Sequence, residues 1–332
     1  MDDSTQPSSL ERLEASLTDT PTEAVTWLEG VERDDAETRK TALRALREVA
    51  ETQPTALEPV LAPLSAFLTD EERSIRLRTA KLFVTLAEAD PDAVSSVVSP
   101  LADRLADADE FYYVRARSAE ALGYAALARP EDVASPAVLA DLRIGLSFDE
   151  PEVREKLAKA LEYVALGDQD RLSDHVGELT EHLTDSNELV RYHLCTALVA
   201  VGCGDPNALS ERVDALVDRL DDENPYVRGR AVEALGLLAR SGTDVSIPDV
   251  RSAAEDDAEQ FLLERIRFAT DGSDDGSGAT APEGIGTVES IRERTDEIVH
   301  EITAPDGDEC PHCGCALPEP GPPMCPRCGG PR

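Results

Sequence analysis

An arginine returns along this chain at a nearly fixed interval, and that return limits the fold more than any other feature. It stands at Arg39, Arg76, Arg115, Arg154, Arg191 and Arg228, with successive gaps of 37, 39, 39, 37 and 37 residues. Three residues beyond each come Ala42, Thr79, Ser118, Leu157, Leu194 and Ala231. Seven beyond come Leu46, Phe83, Leu122, Leu161, Leu198 and Leu235. At about 100° per residue these positions share one stripe, so each copy predicts an amphipathic helix. A second amphipathic segment lies between the arginine helices: Leu57–Leu68, Val94–Leu105, Val138–Leu146, Leu172–Leu183 and Leu209–Leu220. Each runs into an acidic turn, such as Thr69-Asp70 or Asp221-Asp222. Asp there is expected to cap the helix that follows. Pro151 and Pro225 fall where a first-turn proline is tolerated. Units with this period bury their apolar faces only by stacking on one another.

A two-helix unit with an acidic turn and an early arginine resembles the HEAT-repeat family. In four copies the Asp lies six residues before the Arg (Asp70, Asp109, Asp185, Asp222); Asp34 and Asp149 lie five before. The resemblance covers residues 20–269, as six repeats and a truncated seventh unit at 247–269 that would cover the last apolar face. It implies an all-α fold, an α-solenoid of HEAT-like helix pairs with an Asp–Arg ladder between neighbouring repeats. Around it the chain divides into a tail or leading helix at 1–19, a Gly-, Ser- and Asp-rich linker at 270–286, an amphipathic helix at 287–303 and a cysteine-rich end at 304–332. The 287–303 helix carries Val288, Ile291, Ile298, Val299 and Ile302 on its stripe. Docking back onto the repeats and self-association are both open to it.

The cysteine-rich end holds Cys310-Pro-His-Cys313-Gly and Cys325-Pro-Arg-Cys328-Gly, with eleven residues between Cys313 and Cys325. Two such pairs supply four thiolates in a tetrahedron, the geometry of structural Zn²⁺. A segment this short builds no core of its own, so metal is expected to hold it together. It resembles a zinc ribbon, and one structural Zn²⁺ on Cys310, Cys313, Cys325 and Cys328 is expected; iron is the alternative for a four-sulfur site. His312 and Cys315 are spare donors. Clustered cysteines point to metal in a reducing cytoplasm rather than to a disulfide framework.

The chain has 332 residues and a net charge of −36, from 68 acidic and 32 basic residues. Only four of the basic residues are lysine: Lys40, Lys81, Lys156 and Lys159. Such self-repulsion disfavours compaction in dilute buffer and fades in molar salt. The profile resembles proteins of salt-accumulating halophilic archaea. The acidic start, Met1-Asp2-Asp3-Ser4, has no secretory leader pattern, and no apolar run is long enough to span a bilayer. A cytoplasmic location is expected.

Signals for catalysis are weak. His175, His182 and His193 fall in the fourth and fifth repeats, where polar surface positions are the simpler account. Deoxyhypusine hydroxylases, a HEAT-repeat enzyme family, hold two irons with several His-Glu pairs; here the single pair is His300-Glu301, outside the repeats. Nothing marks a bilin pocket of the kind implied by phycobilin lyases. Cys195 sits at a packing position, Cys203 is expected in the following loop, and no phosphate-binding glycine loop occurs.

One face runs against the acidic trend. In the HEAT family the arginine helix lines the concave surface, which would place its second and fifth positions beyond the arginine in the groove. Of twelve such positions seven are basic, where the overall content of 32 in 332 would place about one. They are Arg44, Arg78, Lys81, Arg117, Lys156, Lys159 and Arg230, with His193 a further cation; Tyr124 and Tyr163 stand nearby. These ten residues are the candidate partner-binding site. The expected partner is an acidic protein segment, so the chain is read as a non-catalytic interaction scaffold. Nucleic acid is the second choice, weakened by salt, and a metal-dependent or lyase-like enzyme the third. If the cations only neutralise neighbouring acids, each pair contributes about 0–1 kcal/mol and marks no site.

Overall fold

The computed structural model describes residues 16–17, 19–243, 246–254, 259–270 and 284–303. The four expected zinc ligands and most of the linker lie outside them. All regular structure among the described residues is helical. The chain divides into two compact units between Ser147 and Phe148.

In the first unit, α1 is Pro21–Val31, α2 is Ala36–Thr52, α3 is Arg73–Ala89 and α4 is Tyr112–Ala128. In the second, α5 is Pro151–Gly167, α6 is Glu188–Gly204, α7 is Pro225–Ser241, α8 is Gln260–Thr270 and α9 is Val288–Thr303. The six helices α2 to α7 are each 17 residues long, and the recurring arginine is the fourth residue of every one. Pro151 and Pro225 open α5 and α7 at the first helical position, where the missing N–H is not needed.

The intervening segments are less regular than their periodicity predicts. Four of the five are a 3₁₀ stretch joined to a short α-helix, as in Pro54–Val60 followed by Leu61–Ser65. The joint falls at one equivalent residue: Val60 (φ −107°, ψ 1°), Val97 (φ −116°, ψ 11°), His175 (φ −110°, ψ 3°) and Arg212 (φ −123°, ψ 18°). These are bridge-region values, where the tighter i→i+3 turns give way to an α-turn. The joint turns the segment without moving its apolar stripe off the core: Leu57, Leu64 and Leu68 remain buried. The third segment instead ends in the helix Pro136–Gly145, with Ser135 accepting from the Val138 N–H as its N-cap.

Packing follows sequence order inside each unit: α2 on α3 and α3 on α4 in the first, then α5 on α6, α6 on α7 and α7 on α8 in the second. α2 buries one stripe (Arg39, Ala42, Leu43, Leu46, Val49, Ala50), whereas α6, with α5, α7 and α9 around it, buries nearly every residue. α8 closes the second unit with Phe261, Leu262, Ile266 and Phe268. It comes so near that a Cβ on Gly236 would lie 3.0 Å from the Ala269 Cα.

The arginines form the expected ladder, with two corrections. Arg39 joins Asp70, Arg154 joins Asp185 and Arg191 joins Asp222, each by Nε and Nη2 at 2.6–3.1 Å. Arg76 pairs with Glu110 rather than with Asp109; Asp109 is exposed while Glu110 is turned inward. An acidic cap of the expected kind occurs at α2, where Asp35 accepts the Glu37 and Thr38 N–H groups, but not at the later turns. Asp70, Asp107, Asp185 and Asp222 each accept the N–H two residues on, which closes the turn. The side-chain caps of α6 and α7 are Asn187 and Asn224. Five of the arginines fix their own turns through the backbone, as where Arg39 donates to the Asp34 carbonyl and Arg154 to those of Phe148 and Asp149, while Arg115 donates to the Leu105 carbonyl. A carbonyl is present at any residue type, so the five-residue spacing of Asp34 and Asp149 is tolerated.

Candidate partner-binding face

The ten candidate residues do not share one environment. In the first unit Arg44 and Arg78 are exposed, while Lys81 and Arg117 are half-buried. Arg117 Nη1 donates to Glu120 Oε2 at 2.6 Å, and Tyr124 is buried. In the second unit Lys156 Nζ donates to Glu155 Oε1 at 2.9 Å. Lys159 is buried and lies 5.3 Å from the Tyr163 ring centroid. Tyr163, His193 and Arg230 are buried as well, the last at 0% exposure. The expectation that Tyr124, Lys159, Tyr163, His193 and Arg230 face a partner is therefore corrected: each lies inside its own unit.

The physical reason is that these cations answer buried acids and a buried helix. His193 Nδ1 bonds Glu162 Oε2, both groups sealed from solvent. Arg230 Nη1 donates to Glu233 Oε2 at 2.9 Å, Arg265 Nε to the same oxygen at 2.8 Å, and Arg230 Nη2 to the Tyr192 hydroxyl at 3.2 Å. The Arg265 guanidinium lies 3.3 Å from the Phe261 ring centroid, a cation–π contact strengthened by desolvation. Burial acts to raise the Glu233 carboxyl, but Arg230 and Arg265 outweigh it and hold the group below the usual range. Burial pushes Arg265 down to about 10, still cationic at neutral pH. Arg230 is raised, because Tyr192 and Glu233 overcome the desolvation that opposes its charge.

Helix α9 completes the enclosure. It packs on α5 and α6 through Ile291, Thr295, Ile298 and Ile302. The Thr295 hydroxyl donates to Glu162 Oε1. Tyr163 donates to Asp296 Oδ1 at 3.0 Å, and Tyr226 to Glu301 Oε2 at 2.6 Å. Arg292 Nη2 donates to the Leu166 carbonyl at 2.7 Å, and the Gly286 N–H to Glu233 Oε1 at 3.0 Å. Of the two fates open to this helix, the structure shows docking onto the repeats.

The histidines expected as a minor catalytic possibility are not gathered. His175 faces Glu178 at 3.9 Å, His182 is half-buried, and His193 belongs to the Glu162 pair. No group of three or more metal-ligating side chains occurs among the described residues. Cys195 is buried, as expected. Cys203 lies within α6 rather than in a loop, and its thiol meets the Gly286 carbonyl at 3.2 Å. Burial pushes both thiols up to about 12. Among the described residues no helix is long and apolar enough to cross a membrane.

Two signals for the buried pairs were present in the sequence. Arg117/Glu120 and Arg230/Glu233 stand three residues apart on their helices, a spacing that lets side chains meet. Glu162 and Arg265 carried no comparable local signal, since their partners come from other helices.

Residues 176–269 match the family of HEAT repeats. No curated protein matches the chain significantly. Solved structures similar to it include engineered proteins and designed armadillo-repeat proteins. One, an engineered protein, is 24% identical, covers 71% of this chain and 100% of its own, with a TM-score of 0.57. A second engineered protein is 21% identical over 73% of this chain and 100% of its own, with a TM-score of 0.56. A designed armadillo-repeat protein in complex with the peptide (KR)4 is 19% identical, covering 70% of this chain and 100% of its own, with a TM-score of 0.57. The arginine ladder, the stacked 17-residue helices and these matches together show a helical-repeat fold like that of HEAT and armadillo proteins.

Proposed function

We propose that this chain is a non-catalytic scaffold that binds partner proteins along its repeat helices, with a structural zinc ribbon at its C-terminal end as a second contact module. The fold supports this, since similar designed armadillo repeats recognise peptides. One observation carries the choice of partner. Arg44 on α2 and Arg78 on α3 stand exposed on consecutive repeat helices, and half-buried Lys81, the position equivalent to Arg44, lies one turn beyond Arg78, in a chain of net charge −36. The designed protein holds a basic peptide; an exposed cationic row calls for the opposite charge, an acidic segment. Complementary charge of this kind sets specificity and encounter rate more than affinity.

The ribbon rests on its four thiols, Cys310, Cys313, Cys325 and Cys328, which satisfy tetrahedral Zn²⁺ and leave no open position for a catalytic water. The sparse lysine content and the acid excess support a cytoplasmic life at high salt.

The test is charge reversal in the first unit. Arg44→Glu with Arg78→Glu is compared with the unaltered chain in affinity capture over a series of KCl concentrations down from molar, keeping those at which circular dichroism shows both chains folded. Loss of acidic protein partners from the variant is expected. Recovery of the same partners overturns the reading, and recovery of nucleic acid in their place replaces it with the nucleic-acid reading.

A further inference from the structure

The contacts of α9 have a form that simple packing does not require. Its buried positions are Ile291, Thr295, Ile298 and Ile302, spaced 0, 4, 7 and 11 along one face, and the last residue, Thr303, whose hydroxyl turns back to the Val299 carbonyl. A helix that only covers an apolar surface would carry an aliphatic residue at the second of these. Here a threonine hydroxyl is delivered to Glu162, a carboxylate with 0% exposure whose other oxygen already holds His193. Tyr163 and Tyr226 then reach out from α5 and α7 to Asp296 and Glu301 on the helix flank. Arg292 takes the Leu166 carbonyl at the end of α5. These hydrogen bonds come from α5 and α7, with α6 packed against the same helix, and fix the register of α9. This is helix-in-groove recognition, with aliphatic anchors for affinity and polar contacts for specificity.

We infer that the face formed by α5, α6 and α7 is a helix-binding groove, and that α9 is its built-in occupant, a cis ligand that a partner helix of the same register displaces. The inference rests on the scaffold reading and deepens it. The matching partner is an amphipathic helix with aliphatic, hydroxyl, aliphatic and aliphatic residues at 0, 4, 7 and 11, and an acidic residue directly after the hydroxyl. Charge sets that last requirement: the Tyr163 hydroxyl donates, and Lys159 lies against the Tyr163 ring. Residues 271–283 join α8 to the docked segment in the same chain. A tethered ligand faces its site at an effective concentration on the order of 1 mM. The groove is therefore closed to a free peptide at micromolar concentration until α9 is released.

The probe is a fluorescent peptide of residues 284–303, titrated against the full-length chain by anisotropy. Wild type is expected to show no saturable binding at about 10 μM, and Ile298→Asp, which places a charge at a buried anchor, is expected to bind. Thr295→Arg serves as an independent release variant should Ile298→Asp fail to fold, which circular dichroism reports. A Thr295→Val peptide is expected to bind the released chain about tenfold more weakly, since the buried Glu162 carboxylate loses a hydrogen bond. Equal binding by wild type and the folded release variants shows that α9 does not occupy the groove and overturns the inference. Absence of binding to either folded release variant shows that no groove exists and overturns it too. Neither result depends on capturing a partner, so the acidic-partner reading stands or falls separately in its own assay.

Discussion

Glu233→Gln is the most informative single substitution in the second unit. Glu233 is 1% exposed, and its Oε2 receives both Arg230 and Arg265 while Oε1 receives the Gly286 N–H. Glutamine keeps the shape and one acceptor but removes the charge, leaving two buried guanidiniums facing each other. Breaking a buried ion pair from one side costs about 3–5 kcal/mol, because the remaining charge stays desolvated. Two cations share this carboxylate, so the upper part of that range is expected. The loss belongs in urea unfolding at pH 7 and molar KCl, where surface pairs are screened and buried ones are not. The pH dependence has a definite sign. The Glu233 carboxyl lies below its ordinary value, so its contribution is present above that value and is lost as pH falls through the folded one. The gap between wild type and variant should shrink in acid. Replacing the whole group (Arg230→Met, Glu233→Leu, Arg265→Leu) should cost far less than Glu233→Gln alone, as buried triads often give way to apolar side chains. A Glu233→Gln cost under about 1 kcal/mol would refute the buried bridge, since exposed pairs fall in that range.

Three further outcomes are expected. Gly30→Ala meets nothing within 4 Å and should stabilise the first unit by about 0.5–1 kcal/mol, while Gly236→Ala should destabilise the second by about 1–3 kcal/mol against the Ala269 backbone; thermal melts that reverse the order contradict the close approach of α8. Cys195 and Cys203 should resist iodoacetamide at pH 8, with Cys203 labelling faster in Ile298→Asp as the Gly286 contact opens; peptide mass mapping that finds Cys203 alkylated in native wild type as fast as in urea sinks this account. Elemental analysis should find one zinc per chain, lost on Cys310→Ser with helical circular dichroism intact; iron, or collapse of the repeats, contradicts the proposed ribbon.

The repeat was legible because periodicity reports what packing demands. Leu46 and its five counterparts are buried, and the recurring arginine sits at the same helical position in all six copies. The ladder was legible to within a residue: Glu110 replaces Asp109 because the choice depends on how the turn folds, and both are acids. The breaks at Val60, Val97, His175 and Arg212 were not legible, since apolar spacing tolerates a 3₁₀ turn as readily as an α-turn. The cationic stripe was legible as composition but misread as exposure in the second unit. Charge in sequence does not tell which partner neutralises it, and Glu162, Arg265 and α9 reach the stripe from other elements.

That misreading bears on how an acidic chain recognises anything. The cations on α2 and α3 remain near the surface, where their attraction for an acidic partner is long-ranged and falls as salt rises. Lys159, His193 and Arg230 on α5, α6 and α7 have been taken inward, where Arg230 stands with Arg265 of α8 against Glu233 and Glu162 also draws on Arg230. Contacts of that kind depend on geometry and keep their strength when surface charges are screened. In a concentrated salt solution, a register fixed by Thr295, Tyr163 and Tyr226 discriminates between helices where an exposed arginine does not. On the proposed reading the two units suit different tasks: exposed charge in the first would accelerate encounter with an acidic chain, and buried hydrogen bonding in the second would select the helix that replaces α9.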